Sequence, residues 1–274
     1  MNTPRKANNL PIGVFDSGVG GLTVVREIIR QLPGEDIIYF GDTARVPYGS
    51  KSPDTIRHFA MQNSRFLADE QVKLIVVACN TVSSNAMDLL RRNFTLPFID
   101  VLAPNAEIAA RTTKNNRIGI IGTHATIESG SYERVISKLN SNARIFTQPA
   151  PLLVPLAEEG WTEHRAAQLI INEYLSPLIE SGIDTLILGC THYPLFEGLI
   201  RDICGNDITV INSSRHTAGK VADNLKNENN LSGNKKGDIT FCLSDIPRNF
   251  YDIAERFLMH KISKPVRHIN IEAF

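Results

Sequence analysis

Leu74-Ile75-Val76-Val77-Ala78-Cys79-Asn80-Thr81 is the stretch on which the reading of the fold turns. Four bulky apolar residues in succession, three of them β-branched, read as a strand buried on both faces. The run ends in a small residue, a cysteine and two small polar residues. Ligands of an open parallel sheet bind in the crevice beyond the carboxyl ends of its strands, which puts Cys79 where chemistry is expected. The pattern returns at Thr185-Leu186-Ile187-Leu188-Gly189-Cys190-Thr191-His192, with the two cysteines 111 residues apart. That interval is about one domain long. The expected architecture is α/β, with two related units facing each other and two thiols presented to one ligand.

Working outward, Ile12-Gly13-Val14-Phe15 reads as a first strand, followed by Asp16-Ser17-Gly18-Val19-Gly20-Gly21 and a helix with Leu22, Val25, Ile29 and Leu32 on one face. A Gly-rich turn of this kind lets backbone N–H groups approach an anion. It reads equally as a tight turn capped by Asp16 or Ser17. No Gly-Lys-Ser/Thr follows, so it is not a Walker A loop. Residues 36–40 read as a second strand. The loop 41–52, with Asp42, Arg45, Pro47, Tyr48, Gly49 and Ser50, is long for an α/β connection and reads as ligand-contacting or as plain surface. After Cys79 a helix is expected over 82–93, and a helix N-terminus would lower the thiol pKa from about 8.5. Ile118-Gly119-Ile120-Ile121-Gly122-Thr123 repeats the opening theme.

Further helices are expected over 125–139, over 163–181 with Pro177 bending or interrupting it, and over 195–204. Ser213-Ser214 reads as the cap of a helix over 217–225, and Ser244/Asp245 as the cap of a final helix buried through Phe250, Ile253, Ala254, Phe257 and Leu258. The expected division is a flexible tail over 1–10, a first domain of 11–103 and 214–274, and a second of 104–213, with a crossover at Ala103-Pro104.

Twenty-nine basic residues balance twenty-nine acidic ones, so no net field favours nucleic acid or an anionic membrane. No apolar run approaches the ~20 residues that span a bilayer, and the polar start carries no secretory signal. The four cysteines, none in a CxxC pair, are expected as reduced thiols in the cytoplasm. Cys204 and Cys242 read as small buried hydrophobes.

Three readings of the Cys79/Cys190 pair compete. Redox motifs place their cysteines close in sequence, unlike these two. A metal site built on Cys190 and His192 lacks the remaining ligands of tetrahedral zinc. The third reading is an acid/base pair on opposite sides of one carbon, where one group removes an α-proton and the other delivers one. A thiolate suits that task because its pKa lies near working pH. Asp16 and His192 are the candidate tuners, against plain roles as a helix cap and a structural hydrogen-bonding group.

Four separated blocks then carry a resemblance: Gly13-Val-Phe-Asp-Ser-Gly-Val-Gly-Gly-Leu22, Phe40-Gly-Asp-Thr-Ala-Arg-Val-Pro-Tyr-Gly-Ser50, Val77-Ala-Cys-Asn-Thr81 and Leu186-Ile-Leu-Gly-Cys-Thr-His-Tyr-Pro194. The sequence resembles the glutamate racemases, cofactor-independent bacterial enzymes that interconvert L- and D-glutamate. The resemblance implies two similar doubly wound domains with mainly parallel sheets and the active site in the cleft between them. It implies Cys79 and Cys190 as the catalytic thiols, the first acting on D-glutamate and the second on L-glutamate, assisted by Asp16 and His192. It implies Asp16, Ser17, Tyr48, Gly49, Asn80, Thr81, Thr191 and His192 around the substrate, with Glu158 and Thr123 as additional candidates. No pyridoxal phosphate or metal is implied, and a homodimer serving peptidoglycan synthesis is. Relatives activated by UDP-N-acetylmuramoyl-L-alanine carry a longer N-terminal tail, so that activation is not expected. An aspartate racemase and a non-catalytic amino-acid-binding protein are the alternatives. Asn212 stands where relatives often carry Asp.

Overall fold

A computed structural model describes residues 7–274. In chain order it runs β1 (Ile12–Asp16), α1 (Leu22–Gln31), β2 (Ile37–Gly41), α2 (Pro53–Asp69), β3 (Leu74–Val77), α3 (Asn80–Asn85), α4 (Met87–Asn93), β4 (Phe98–Asp100) and α5 (Leu102–Thr112). Then come β5 (Arg117–Gly122), α6 (His124–Glu128), α7 (Ser131–Leu139), β6 (Arg144–Pro149), α8 (Leu153–Glu158), α9 (Arg165–Glu180), β7 (Thr185–Gly189), α10 (Glu197–Cys204) and β8 (Thr209–Asn212). The chain closes with α11 (Ser213–Asn227), β9 (Ile239–Leu243), α12 (Phe250–Leu258) and β10 (Arg267–His268).

The strands form two all-parallel sheets, ordered β10-β9-β2-β1-β3-β4 and β6-β5-β7-β8. The second has the same order as β2-β1-β3-β4 of the first, so β3 and β7 are equivalent strands. In each sheet the chain leaves the central strand to one side and returns to the other, which opens a crevice at the carboxyl ends. Asp16 ends β1 and Cys79 follows β3 on either side of one crevice; Thr123 follows β5 and Cys190 follows β7 at the other. β3 and β7 are buried along their whole length, as parallel strands covered by helices must be.

Several local expectations are corrected. The segment 82–93 is two helices broken at Ala86, and 125–139 is two helices broken at Ser129-Gly130, where Gly130 takes φ +61°. The chain passes from the first sheet to the second after β4, and the passage at Ala103-Pro104 is helical: both lie in the first turn of α5, where proline costs little, and Asp100 Oδ1 caps it by accepting from the Leu102 and Ala103 amides at 2.9 and 2.8 Å. Pro177 sits inside α9 without interrupting it. The cap of α11 is Asn212, which accepts from the Ser214 amide at 3.1 Å, not the serine pair. Its Nδ2 donates to Glu197 at 2.6 Å, so an aspartate at this position would face a carboxylate. Ser244 does not cap α12; its hydroxyl donates to Asp42 Oδ1 at 2.8 Å. The tail reading for 1–6 lies outside the described residues, and Ala7–Asn9 is a 3-10 turn held by Lys73, whose ammonium donates to the Asn8 carbonyl at 2.9 Å.

Candidate active site

Ser17, Tyr48, Gly49, Cys79, Asn80, Thr81, Thr123, Glu158, Cys190, Thr191 and His192 all border one cavity of about 340 Å³ between the two sheets. Eleven of the twelve residues singled out from sequence are therefore brought together. Asp16 is the exception. It is fully buried behind that wall, its Oδ2 accepting from the Gly18 amide at 3.0 Å and its Oδ1 without a hydrogen-bond partner among the described residues. Tyr48 also differs from expectation: its hydroxyl is turned away and held by Asp42 and Asn63. What the loop offers at Tyr48-Gly49 is backbone.

The walls come from both sheets and interlock through small residues. A Cβ on Gly20 would stand 2.3 Å from Thr191 Oγ1 and 2.5 Å from His192 Nδ1, and one on Gly49 would stand 2.7 Å from Thr123 Cβ. These glycines are where one half's backbone meets the other half's site. Thr81 Oγ1 lies 3.0 Å from Thr123 Oγ1 and 3.4 Å from Thr126 Oγ1, and Thr23 donates to the Thr191 carbonyl at 3.0 Å. Gly20→Ala is expected to push His192 aside and lower kcat by about 10²-fold, the effect of a displacement near 1 Å in a positioned site. Turnover within threefold of wild type would contradict that packing argument.

The two thiols have unlike neighbours. Cys79 caps α3 and donates to Ser17 Oγ at 3.6 Å. Burial and then the Asp16 charge push its thiol up to about 12, against smaller opposing bonds from Ser17 and the Val82 amide. The expected lowering by the helix end is thus reversed: α3 is six residues long, and desolvation of the thiolate outweighs it. Burial also raises the Asp16 carboxyl, against the His192 charge and backbone bonds that lower it.

Cys190 Sγ lies 3.8 Å from His192 Nδ1, and His192 Nε2 lies 3.0 Å from Glu158 Oε1. Burial alone would lower the His192 pKa, but its hydrogen bonds to Cys190 and Glu158 and their charges prevail and push it up to about 10. A group raised on folding stabilises below its unfolded value and loses that effect as pH rises through its folded one. His192 should therefore contribute stability fully below about pH 6.5 and lose it by about pH 10. In thermal melts the wild type should lose its margin over His192→Asn across that window; a constant difference would refute the charged imidazole.

The segment after β9 reaches this site. Phe257 sets its ring edge against His192, 5.1 Å between centroids at 82°, and Arg256 donates to the Glu158 carbonyl at 2.9 Å. From its helical periodicity alone Phe257 is a core residue, and the contact with His192 adds a second role. Cys204 and Cys242 are buried away from the cavity, as expected of structural cysteines. Among the described residues no group of three or more His, Cys, Asp or Glu side chains is arranged to hold a metal ion, and no helix is long and apolar enough to cross a membrane.

An α/β pair of like-ordered sheets with one cysteine at each equivalent strand end defines a class, and residues 12–220 match the profile of the Asp/Glu/Hydantoin racemase family. The chain belongs to that family. It is 45% identical over 263 residues to a glutamate racemase of Geobacter metallireducens, covering 96% of this chain and 97% of that protein. It is 50% identical over 250 residues to one of Neisseria meningitidis serogroup A, covering 90% and 92%. The crystal structure of glutamate racemase from Francisella tularensis in complex with D-glutamate superposes with a TM-score of 0.92 at 38% identity, covering 97% of this chain and 100% of that one.

Proposed function

We propose that this protein interconverts L- and D-glutamate by proton transfer between Cys79 and Cys190. One observation carries the reading: the two cysteines end equivalent strands of two like-ordered sheets and border one cavity. Relatives called glutamate racemase at 45% and 50% identity supply the substrate.

For L-glutamate, Cys190 removes the α-proton and its electron pair stays on the α-carbon, while the Cys79 thiol, which holds its proton in the empty site, delivers one to the opposite face. The reverse turnover starts with Cys79 as base. The Asp16 charge, second to burial, raises the Cys79 pKa and so keeps the proton on Cys79 until the carbanion draws it off. On the other side His192, held by Glu158, sets its Nδ1 3.8 Å from the Cys190 sulfur. Ser17, Asn80, Thr81, Gly49 and Thr191 hold the polar groups of glutamate, with Thr123 fixing Thr81 from across the seam.

The same reading extends to a division into 11–103 with 214–274 and 104–213, which sheet membership supports, and to a cytoplasmic homodimer that supplies D-glutamate for peptidoglycan. The test is circular dichroism with each glutamate enantiomer, paired with proton NMR of α-proton exchange in deuterated water and repeated with aspartate. Loss of optical rotation from both glutamate enantiomers is expected. Absence of exchange would overturn the reading, and faster turnover of aspartate would reassign the substrate.

A further inference from the structure

Asn80 is the first residue of α3 and borders the cavity, and its side-chain amide is divided between two environments. Its Oδ1 accepts from the Tyr132 hydroxyl at 2.8 Å, whereas its Nδ2 is buried with no partner among the described residues. Tyr132 comes from α7, on the other side of the seam. Its ring is almost fully buried in the core of the second sheet with Ile120 and Ile187, and it lies close to Gly189, the residue before Cys190.

The direction of the bond follows from chemistry. Burial, then the charges of Asp100 and Cys190, push the phenol well above its ordinary value, so it keeps its proton and is free to donate. The opposite amide rotamer would make the phenol an acceptor. It would then leave two groups unpartnered, the phenol proton and the Asn80 oxygen, in place of one. A buried unpaired donor is costly, and an incoming carboxylate oxygen relieves it.

We propose that Tyr132 is a positioning residue for the reaction: by donating to Asn80 Oδ1 across the seam, it fixes the amide so that Nδ2 is the donor left for a substrate carboxylate. This rests on the glutamate racemase reading above. Tyr132 acts through Asn80. Without the hydroxyl, the amide is free to turn and set its oxygen against the carboxylate, which weakens binding of either enantiomer.

Titration calorimetry with D-glutamate tests this on wild type, Tyr132→Phe, Asn80→Ala and the double variant. Phenylalanine keeps the buried ring and removes one oxygen. The affinity should fall about tenfold in Tyr132→Phe, as loss of one organising hydrogen bond implies, and KM should rise similarly for both enantiomers with kcat within about threefold. In the Asn80→Ala background the same change should cost less than about twofold, because the partner through which it acts is gone. Unchanged affinity in Tyr132→Phe, or its full effect persisting beside Asn80→Ala, would overturn the proposal. Should the phenylalanine variant fail to fold, Asn80→Asp keeps an oxygen for Tyr132 and replaces the amide donor; unchanged affinity there would overturn it as well. Wild-type protein that binds glutamate without turning it over would defeat the racemase reading alone, and one that binds neither enantiomer would defeat both.

Discussion

Cys79→Ser and Cys190→Ser are each expected to lower racemisation of glutamate by about 10²–10⁴-fold, the range that a positioned acid or base contributes. Serine keeps the shape of the side chain and loses a group able to ionise near working pH. The two variants should fail in different ways. In Cys79→Ser the remaining thiol still faces the hydrogen of L-glutamate and has no partner to protonate the far side. Deuterium from solvent should then enter L-glutamate without inversion, and Cys190→Ser should show the mirror behaviour with D-glutamate. NMR of the α-position together with polarimetry separates exchange from inversion. Wild-type turnover in either variant would remove the two-thiol assignment, and identical exchange patterns in both would remove the assignment of thiol to face.

The largest expected loss of stability lies at the opposite end of the first sheet. The ammonium of Lys73 and the carboxylate of Glu35 pair with side chains only 2% exposed each. The same ammonium donates to the carbonyls of Asn8 and Asn230, and Glu35 Oε1 accepts from the Ser232 amide at 2.7 Å. Lys73 therefore ties the N-terminal turn and the connection between α11 and β9 to the start of β3. Breaking a buried pair from one side leaves an uncompensated charge and costs about 3–5 kcal/mol. Lys73→Met should lower the thermal midpoint by roughly 6–20 °C at about 2–4 °C per kcal/mol. Glu35→Leu combined with Lys73→Met should recover much of that, since a matched apolar pair avoids desolvating two ions. Turnover at 25 °C should survive, because the cavity is bordered by the other ends of the strands. A midpoint within about 2 °C of wild type in the single variant would show that water reaches the pair.

The parts of this molecule that were legible in its sequence are those written in apolar runs. β3 is Leu-Ile-Val-Val and β7 carries Leu-Ile-Leu between Thr185 and Gly189, short apolar runs that read as buried strands, and the cysteines just beyond them fall at the crevice ends. The breaks within helices were harder. Ala86 carries no turn chemistry, and the split between α3 and α4 there has no local signature, whereas Gly130 was a readable punctuation mark that the apolar periodicity masked. Contacts made across the seam were invisible for a different reason. Tyr132 and Phe257 occupy ordinary positions in buried helix faces, and nothing in a one-chain pattern says that a phenol or a ring edge will meet Asn80 or His192 from another sheet. Asp16 was found through its turn, but its unpaired, fully buried oxygen is a property of packing. The thiol of Cys79 shows the balance most clearly: the helix end argued for easy ionisation, and the depth of burial decided otherwise.

The repeated strand order has a thermodynamic consequence. Mirror-image substrates have equal free energies in water, so the ratio kcat/KM must be the same for both hands whatever the protein does. The near-equivalent scaffolds on the two sides suit a reaction with no downhill direction, yet one sulfur has a serine for company and the other an imidazole. That inequality can therefore appear only as unequal kcat matched by equally unequal KM, and a drift in solvent acidity can change both quotients but never the equality between them.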